Sequence, residues 1–378
     1  MEIGKILSVV TNFELGYNGV IFFVIATIYI LNVNLLKKKS VTVVFVMFAL
    51  FIALAILRSN FDVGLFNVFS RLGNTGIVLV SFVFGHSVRL TDAEKAKFFE
   101  NYIIGILLQV VFIGFMSFFR IGSTAYTESF VYGINHFQFY ALSLFVILSP
   151  VIDKFVTDFS IVKRKHYRLL LLFTLMIVVA SLMRTAWAIV VIGTVSYIVF
   201  SPFNKSSLVT SFSLVILVLV IVGVVLTSGI YQARSDRFSS DFNIEKEGRY
   251  VEYILVHEAI NKNTTQLLFG SGELYNSVGK YDPGIFNNDD RPLHSTYSNI
   301  IFGTGYIGLL LLIIYLVMIY RRIHKAKKFR DYRYTIVNHA MFLSILIAFF
   351  SGNLTYGYGI SFFVMSFFLM GNFTKKYV

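Results

Sequence analysis

Long apolar runs alternate with short polar connections along almost the whole chain. A membrane-spanning helix needs about 20 mostly apolar residues, with roughly 17–25 tolerated. Runs that meet or approach this length predict about eleven transmembrane helices, at 19–35, 41–57, 66–86, 102–119, 137–153, 169–183, 186–201, 208–227, 298–320, 335–351 and 357–373. The short neighbours 169–183 and 186–201 share the connection "RTA", which predicts a tight helical hairpin.

One polar segment, 228–297, is far longer than the usual connections of about 2–8 residues in helical bundles. Connections of this length are usually functional or disordered. Within it, "EGRYVEYILVHEAINKN" (247–263) places Tyr250, Ile254, Leu255 and Ile260 at near-helical spacing. The spacing predicts an amphipathic helix that lies against the membrane or folds over the helical bundle.

Basic residues are distributed unequally between the two sets of connections. Of 33 Lys and Arg residues, 21 fall on the side that carries "KKK" (37–39), "KRKHYR" (163–168), "RRIHKAKKFRDYR" (321–333) and "KK" (375–376). Cytoplasmic connections of membrane proteins are enriched in Lys and Arg, so this side is predicted to be cytoplasmic and the long loop to face outward. The predicted fold is an all-α polytopic membrane protein with one large, partly helical extracytoplasmic loop.

The chain divides accordingly into the first eight transmembrane helices (1–227), the loop (228–297), and the last three helices with a cytoplasmic C-terminus (298–378). The composition agrees with a membrane protein, because 56% of residues are hydrophobic. Only 14% of residues are charged, whereas about a quarter are charged in soluble domains. The net charge of +13 is accounted for mainly by the excess of basic residues on the predicted cytoplasmic side. It therefore does not indicate nucleic-acid binding. The absence of cysteine excludes disulfides and thiolate chemistry. The first 18 residues lack a basic start followed by an apolar core, so no cleavable signal peptide is expected.

The predicted outer side carries arginine in preference to lysine, with 8 Arg and 4 Lys, whereas the inner side has 7 Arg and 14 Lys. Arginine offers a planar fork that matches phosphate and carboxylate oxygens. The outer arginines are Arg58, Arg71, Arg120, Arg184, Arg234, Arg237, Arg249 and Arg291. Arg71 and Arg184 adjoin or enter apolar segments, where a cation is costly and usually marks function. For each arginine taken singly, an interaction with lipid headgroups remains the alternative.

The stretch "RPLHSTYS" puts Arg291 and His294 at the entry of the ninth predicted helix. An imidazole suits proton transfer near neutral pH, although a histidine at a membrane interface also commonly bonds a backbone carbonyl. "FGSGE" (269–273) is interpreted as a turn, because no strand–helix context surrounds it as a phosphate-binding loop requires. Asp289, Asp290 and His294 are candidate metal ligands, but adjacent aspartates in a turn are commonly just solvated. No metal site and no cofactor are predicted.

Four segments together resemble a known family. They are "INHFQFYALSLF" (134–145), "SLMRTAWAIVVIG" (181–193), "GRYVEYILVHEAINKNTTQLLFGSGE" (248–273) and "HSTYSNIIFGTGYIGLLLLIIYL" (294–316). Their order and sidedness resemble the O-antigen ligase / capsular polysaccharide polymerase (Wzy-like) superfamily of bacterial inner membranes. The matching motif positions are Arg184, Arg249, His294, Gly305 and Gly308. The family often has asparagine after the histidine, where this chain has Ser295.

The resemblance implies a glycosyltransferase that joins undecaprenyl-pyrophosphate-linked oligosaccharides on the outer face of the bacterial cytoplasmic membrane. It implies His294 as general base and Arg184 and Arg249 at the diphosphate. Further substrate-binding candidates are Arg291, Arg120, Arg71, Arg237 and Tyr297. The implied partners are a lipid-linked donor and acceptor, membrane lipid, a chain-length regulator and a flippase, with no nucleic acid.

Three alternatives remain at this stage. A ligase would transfer the glycan to a different acceptor, and a flippase would move lipid-linked glycan without forming a bond. The third is a structural or regulatory membrane protein. The expected polymerase needs no metal, because outer arginines supply positive charge for the departing diphosphate.

Overall fold

The computed structural model describes residues 39–58, 65–88, 90–121, 136–181, 183–200, 248–272, 293, 295–326, 331–351 and 360–374. Within these ranges every regular element is a helix and no strand occurs. We number the α-helices in chain order: α1 Lys39–Arg58, α2 Leu65–Ser87, α3 Asp92–Phe119, α4 His136–Phe155, α5 Arg164–Ala180, α6 Arg184–Phe200, α7 Gly248–Ile260, α8 Thr264–Phe269, α9 Thr296–Ala326, α10 Tyr332–Ser351 and α11 Ile360–Phe373. The expected all-helical class is therefore confirmed for this part of the chain.

Among the described residues, four helical segments are long and apolar enough to cross a membrane: Asp92–Phe119, Gln138–Asp158, Thr296–Ala326 and Tyr332–Phe350. Shorter apolar helices cover Val46–Leu57, Thr75–Ser87, Thr185–Phe200 and Phe362–Phe373. The predicted runs 19–35 and 208–227 lie outside the described residues, and each of the other runs overlaps a helix. The total of eleven spans thus stays a prediction.

The predicted hairpin is tight, but its connection was placed wrongly. The turn is 181–183, and "RTA" already belongs to α6, which begins at Arg184. Ser181 Oγ donates to the carbonyl of Val178 (2.6 Å) and accepts from the Met183 N–H (3.2 Å). The indole of Trp187 donates back to the last turn of α5, to the carbonyl of Val178 at 3.1 Å. These bonds end α5 early, so Arg184 starts a helix instead of lying in a loop.

The chain forms two compact units, the first of which contains 1–88, 243–322 and 349–374. In this unit α2 and α11 approach closely, because a Cβ on Gly85 would overlap the backbone of Phe368, and one on Gly371 the backbone of Phe82. Small residues allow such approach between membrane helices. The Asn372 amide donates to the carbonyl of Val88 at 3.1 Å and joins the ends of the same two helices.

The second unit contains 89–242, 323–348 and 375–378. Within it α4 is largely buried and packs against α3, α5 and α6. A capping box at Thr91 and Glu94 begins α3. Along α3, large apolar side chains remain exposed, among them Leu108, Val111, Phe112, Phe115 and Phe118. Lipid solvates a surface of this kind, which agrees with α3 as a membrane span.

The helix α9, predicted as one span over 298–320, is interrupted at Gly305, where φ is 65° and ψ is −167°. A short helical segment, 296–304, precedes the break, and 306–326 follows it. The second segment has about 20 residues, or roughly 30 Å at 1.5 Å per residue, which matches the apolar thickness of a bilayer. The break therefore separates a membrane-length helix from a shorter segment at its N-terminal end.

Candidate active site

The chain on both sides of His294 is fixed in the first unit, although His294 and Arg291 themselves lie outside the described residues. Leu293 is 1% exposed and belongs to a buried apolar cluster with Val256, Ile260, Ile301 and Phe302. Ser295 is fully buried. We call residues 293–296 the threshold of α9. Its position is set by packing against the loop helix α7, which supplies Val256 and Ile260.

Ser295 caps α9. Its Oγ accepts from the backbone N–H of Ser298 at 3.4 Å, and the same hydroxyl donates to the carbonyl of Phe349 at 3.2 Å. Serine and asparagine are both preferred at helix N-caps because each places a side-chain oxygen over the free N–H groups of the first turn. Ser295 is therefore well suited to the N-cap position of α9.

Two neighbouring side chains of α7 converge on Ser295. Glu252 is 2% exposed, and its Oε1 accepts from the Ser295 N–H at 3.0 Å. The hydroxyl of Tyr253 lies near the Ser295 side chain. Partial burial, followed by the proximity of Tyr297 and Glu252, raises the pKa of Tyr253 to about 12. Tyr253 therefore stays protonated at neutral pH.

This junction joins two segments of the chain that carry predicted site residues. Arg249 lies on α7 one helical turn before Glu252, and His294 directly precedes Ser295 in the chain. The bond from Glu252 to Ser295 joins the two segments that carry Arg249 and His294. Burying a carboxylate is costly unless it is hydrogen-bonded. The buried position of Glu252 therefore depends on its hydrogen bond to Ser295.

The segment "FGSG" (269–272) crosses directly over the break in α9. The Ser271 N–H donates to the carbonyl of Phe302 at 2.7 Å, and the Gly272 N–H donates to that of Gly303 at 3.1 Å. Gly270 has a φ of 77°, and a Cβ there would lie 2.5 Å from the backbone carbon of Gly303. In the described part of this segment the chain leaves the helix at Gly270 and bends at Gly272. A phosphate-binding loop is excluded at Ser271 and Gly272, because the protein's own carbonyls occupy their N–H groups.

The predicted loop helix is confirmed as α7, but its buried face differs from the expectation. Ile260 is buried and Leu255 partly buried, whereas Tyr250 and Ile254 are 42% and 41% exposed. The spacing of apolar residues in the sequence did not determine which side of α7 would pack against the rest of the protein. Because α7 packs on the threshold and on α9, the side with Tyr250 and Ile254 faces away from this contact.

Two predicted arginines belong to the second unit. Arg184 is the first residue of α6. Arg120 is exposed and ends α3 in the left-handed conformation, with φ 54° and its N–H directed to the carbonyls of Met116 and Ser117. The backbone of Arg184 is described, but its side chain is not.

The remaining predicted residues receive less structural support. The backbone positions of Arg71 in α2 and Arg249 in α7 are described, but their side chains are not, and Arg237, Asp289 and Asp290 lie outside the described residues. The Tyr297 ring packs against Phe349 and Phe350, with centroid distances of 5.7 and 4.9 Å. Its proposed contact with sugar stays a prediction alongside this packing role.

Glu252 was missed by the sequence reasoning. On an amphipathic helix a glutamate is expected on the solvent side, and here it lies on the buried side with Val256. The available signal was its spacing of three residues from Arg249. That spacing gains meaning only once the partner Ser295, 43 residues further along, is known.

These features define a helical membrane protein with a folded loop bound to the entry of a broken helix. Residues 169–313 match the family model described as O-antigen ligase. The match confirms the recognition made from the motifs and is consistent with the Wzy/O-antigen ligase superfamily of glycan-transferring membrane proteins. It covers Arg184, Arg249, Arg291 and His294, whereas Arg71 and Arg120 precede it. No curated protein matches the chain.

Proposed function

We propose that this chain is a polysaccharide polymerase of the bacterial cytoplasmic membrane. It joins oligosaccharide repeats carried on undecaprenyl pyrophosphate at the outer face. The observation that carries the proposal is the buried hydrogen bond that the Ser295 N–H donates to the Glu252 carboxylate. That bond fixes the helix bearing Arg249 against the residue that follows His294, within the segment that matches the O-antigen ligase family.

The reaction assigned to the site is substitution at an anomeric carbon. A hydroxyl of the acceptor sugar attacks C1 of the donor sugar, a new glycosidic C–O bond forms, and the C1–O bond to the diphosphate breaks. His294 takes the proton of the attacking hydroxyl. Undecaprenyl pyrophosphate leaves with the electron pair of the broken bond.

The developing charge on the diphosphate is the main electrostatic demand of this reaction. Preorganised cations in a water-poor site stabilise such charge, which is often the largest catalytic term. The proposal assigns this role to Arg184 and Arg249, with Arg291, Arg120, Arg71 and Arg237 as further contacts. The position of Arg184 at the start of α6 supports it, because backbone N–H groups at a helix N-terminus also attract anions.

A ligase is the second candidate, because the matching family model is described as O-antigen ligase. A ligase would use the same donor and the same leaving group and would transfer the glycan to a different acceptor. The donor-side chemistry of His294 and the arginines would be unchanged. The two candidates differ in the product that accumulates when the protein is lost.

The decisive experiment is analysis of lipid-linked glycans in cells that lack the gene. A polymerase predicts that the ladder collapses to one repeat on undecaprenyl pyrophosphate. A ligase predicts long polymer that stays on the lipid carrier. Unchanged glycan on both the carrier and the final acceptor would refute both assignments, and a complemented strain provides the control.

A further inference from the structure

His257 and Tyr306 form a pair on the exposed side of the contact between α7 and α9. The Nδ1 of His257 lies 3.0 Å from the Tyr306 hydroxyl, and the two rings meet edge to face at a centroid distance of 6.3 Å. Tyr306 is 39% exposed, and His257 is also exposed. A hydrogen bond between exposed groups adds little to stability, because water competes for both partners. The buried bonds at Ser295 and Phe302 already hold the loop in place.

The hydrogen-bonding capacity of the pair is mixed. If the tyrosine hydroxyl donates to Nδ1, the exposed Nε2–H is a donor and the tyrosine oxygen keeps a lone pair. If Nδ1–H donates instead, the tyrosine O–H is the donor and Nε2 is the acceptor. In either case a neutral pair offers one donor and one acceptor side by side. A sugar hydroxyl, itself both donor and acceptor, matches this pattern, whereas an ionised diphosphate accepts only.

Tyr306 directly follows the break at Gly305 and begins the membrane-length segment of α9. In the proposed orientation it lies at the outer water–lipid boundary, where the diphosphate of a lipid carrier and its first sugar are held. The exposed face of α7 continues from His257 to Ile254 and Tyr250, which is two turns or roughly 10 Å away. An exposed aromatic ring at that distance offers an apolar face to the C–H groups of a further sugar.

We propose that His257 and Tyr306 form a sugar-binding subsite for the lipid-proximal residue of an undecaprenyl-pyrophosphate-linked glycan. The subsite rests on the proposed function, because that function supplies the ligand. His257 and Tyr306 bind hydroxyls and carry no part of the bond-forming chemistry. The subsite discriminates a glycosylated carrier from the bare carrier that is released as product.

The test measures binding to the full-length protein in lipid nanodiscs, with no acceptor present. One probe is undecaprenyl pyrophosphate bearing a single N-acetylhexosamine, and the other is bare undecaprenyl pyrophosphate. We expect the wild type to prefer the glycosylated probe. Tyr306→Phe and His257→Ala should each weaken its binding about 5–10-fold and leave binding of the bare lipid within about twofold. Because both residues act through one shared bond, the double variant should be scarcely weaker than either single variant.

Tyr320→Phe is the matched control, because Tyr320 is 41% exposed near the other end of the same helix. It should change neither affinity. Equal loss of both probes in Tyr306→Phe would assign the pair to the diphosphate and overturn the proposal. Unchanged binding of the glycosylated probe with lower thermal stability would also overturn it, since Tyr306 would then be an interfacial anchor. If Tyr306→Phe fails to insert, His257→Ala on the exposed face of α7 decides by the same criteria.

Failure of the subsite and failure of the proposed function give different results. Binding of the glycosylated probe without any bond formation in a separate transfer assay would refute the polymerase and leave the subsite to be judged by Tyr306→Phe. A wild type that binds neither probe, or that binds both equally, would refute the subsite directly.

Discussion

The threshold of α9 and the region around Arg322, toward its opposite end, are held to their neighbours by different kinds of contact. Around Arg322 the guanidinium donates to Nε2 of His86 at 3.0 Å, so the imidazole presents its Nδ1–H to the carbonyl of Gly371, 3.3 Å away. All three residues belong to or adjoin regular helices. At the threshold, α9 is broken, a carboxylate is buried, and a loop backbone supplies hydrogen bonds. Among the described residues of this unit, the broken helix and the buried carboxylate both belong to the surroundings of Ser295, the residue that follows His294 in the chain.

The largest effect is expected from the predicted catalytic residues. We expect His294→Ala, Arg249→Ala and Arg184→Ala each to lower formation of long-chain glycan by about 10²–10⁴-fold, while the protein stays in the membrane. Gel analysis of extracted glycans and immunoblots of membrane fractions measure both quantities. Arg164→Ala is the control, since Arg164 is exposed and pairs with Asp153 in the second unit. Polymer of normal length in the first three variants would contradict the site.

The next largest loss of activity is expected from replacing the buried carboxylate of Glu252. Glu252→Ala leaves the Ser295 N–H without this acceptor and should lower transfer about 10²-fold, because small displacements of catalytic groups have effects of this size. Glu252→Gln keeps an acceptor oxygen and should retain most activity. The control is Glu258→Ala, an exposed glutamate of the same helix. Equal activity of the Glu252→Ala and Glu258→Ala variants would show that the junction does not position the site.

A methyl group at the crossing of the loop and α9 should have an intermediate effect. Gly270→Ala places a Cβ against the backbone of Gly303 at φ 77° and ψ −177°, a conformation that alone costs a non-glycine residue about 1–3 kcal/mol. We expect faster protease cleavage of the loop in spheroplasts and lower transfer activity. Gly105→Ala and Gly114→Ala have open space at the new methyl group and should behave as the wild type. An intact loop in Gly270→Ala would refute close docking.

A contact around Arg322 should affect stability alone. His86→Ala removes the acceptor of the Arg322 guanidinium and should lower the free energy of unfolding by roughly 1 kcal/mol. Activity per folded molecule should stay the same. Thermal unfolding in detergent and transfer assays normalised to folded protein measure the two quantities. A loss of activity beyond the loss of folded protein would remove the contrast between the two regions.

The smallest effect concerns pH. Tyr253 has a pKa of about 12 in the folded protein against 10 as its ordinary value. Between these values the undocked state loses its proton first, so loop docking should weaken as pH rises above about 10. Protease cleavage of the loop across this range measures the effect. Tyr253→Phe should abolish the dependence, and an unchanged dependence would mean that another group causes it.

Much of the helical pattern was predictable, because apolar runs of membrane length leave the backbone few alternatives. The motif order also located Arg184, Arg249 and His294 within the segment that later matched the family. The break at Gly305 was not predicted, since several glycines in "FGTGYIG" permit it and only contact with Gly270 selects one. For the same reason the buried face of α7 was misjudged. Both errors concern contacts between segments about 30 or more residues apart.

The break at Gly305 also bears on how the protein is assembled. The carbonyls of Phe302 and Gly303 receive hydrogen bonds from Ser271 and Gly272, which are synthesised earlier and lie in the loop. Unpaired backbone groups are costly in a bilayer. In the proposed orientation the loop lies outside the membrane, so we expect the final depth of α9 to depend on prior translocation of the loop.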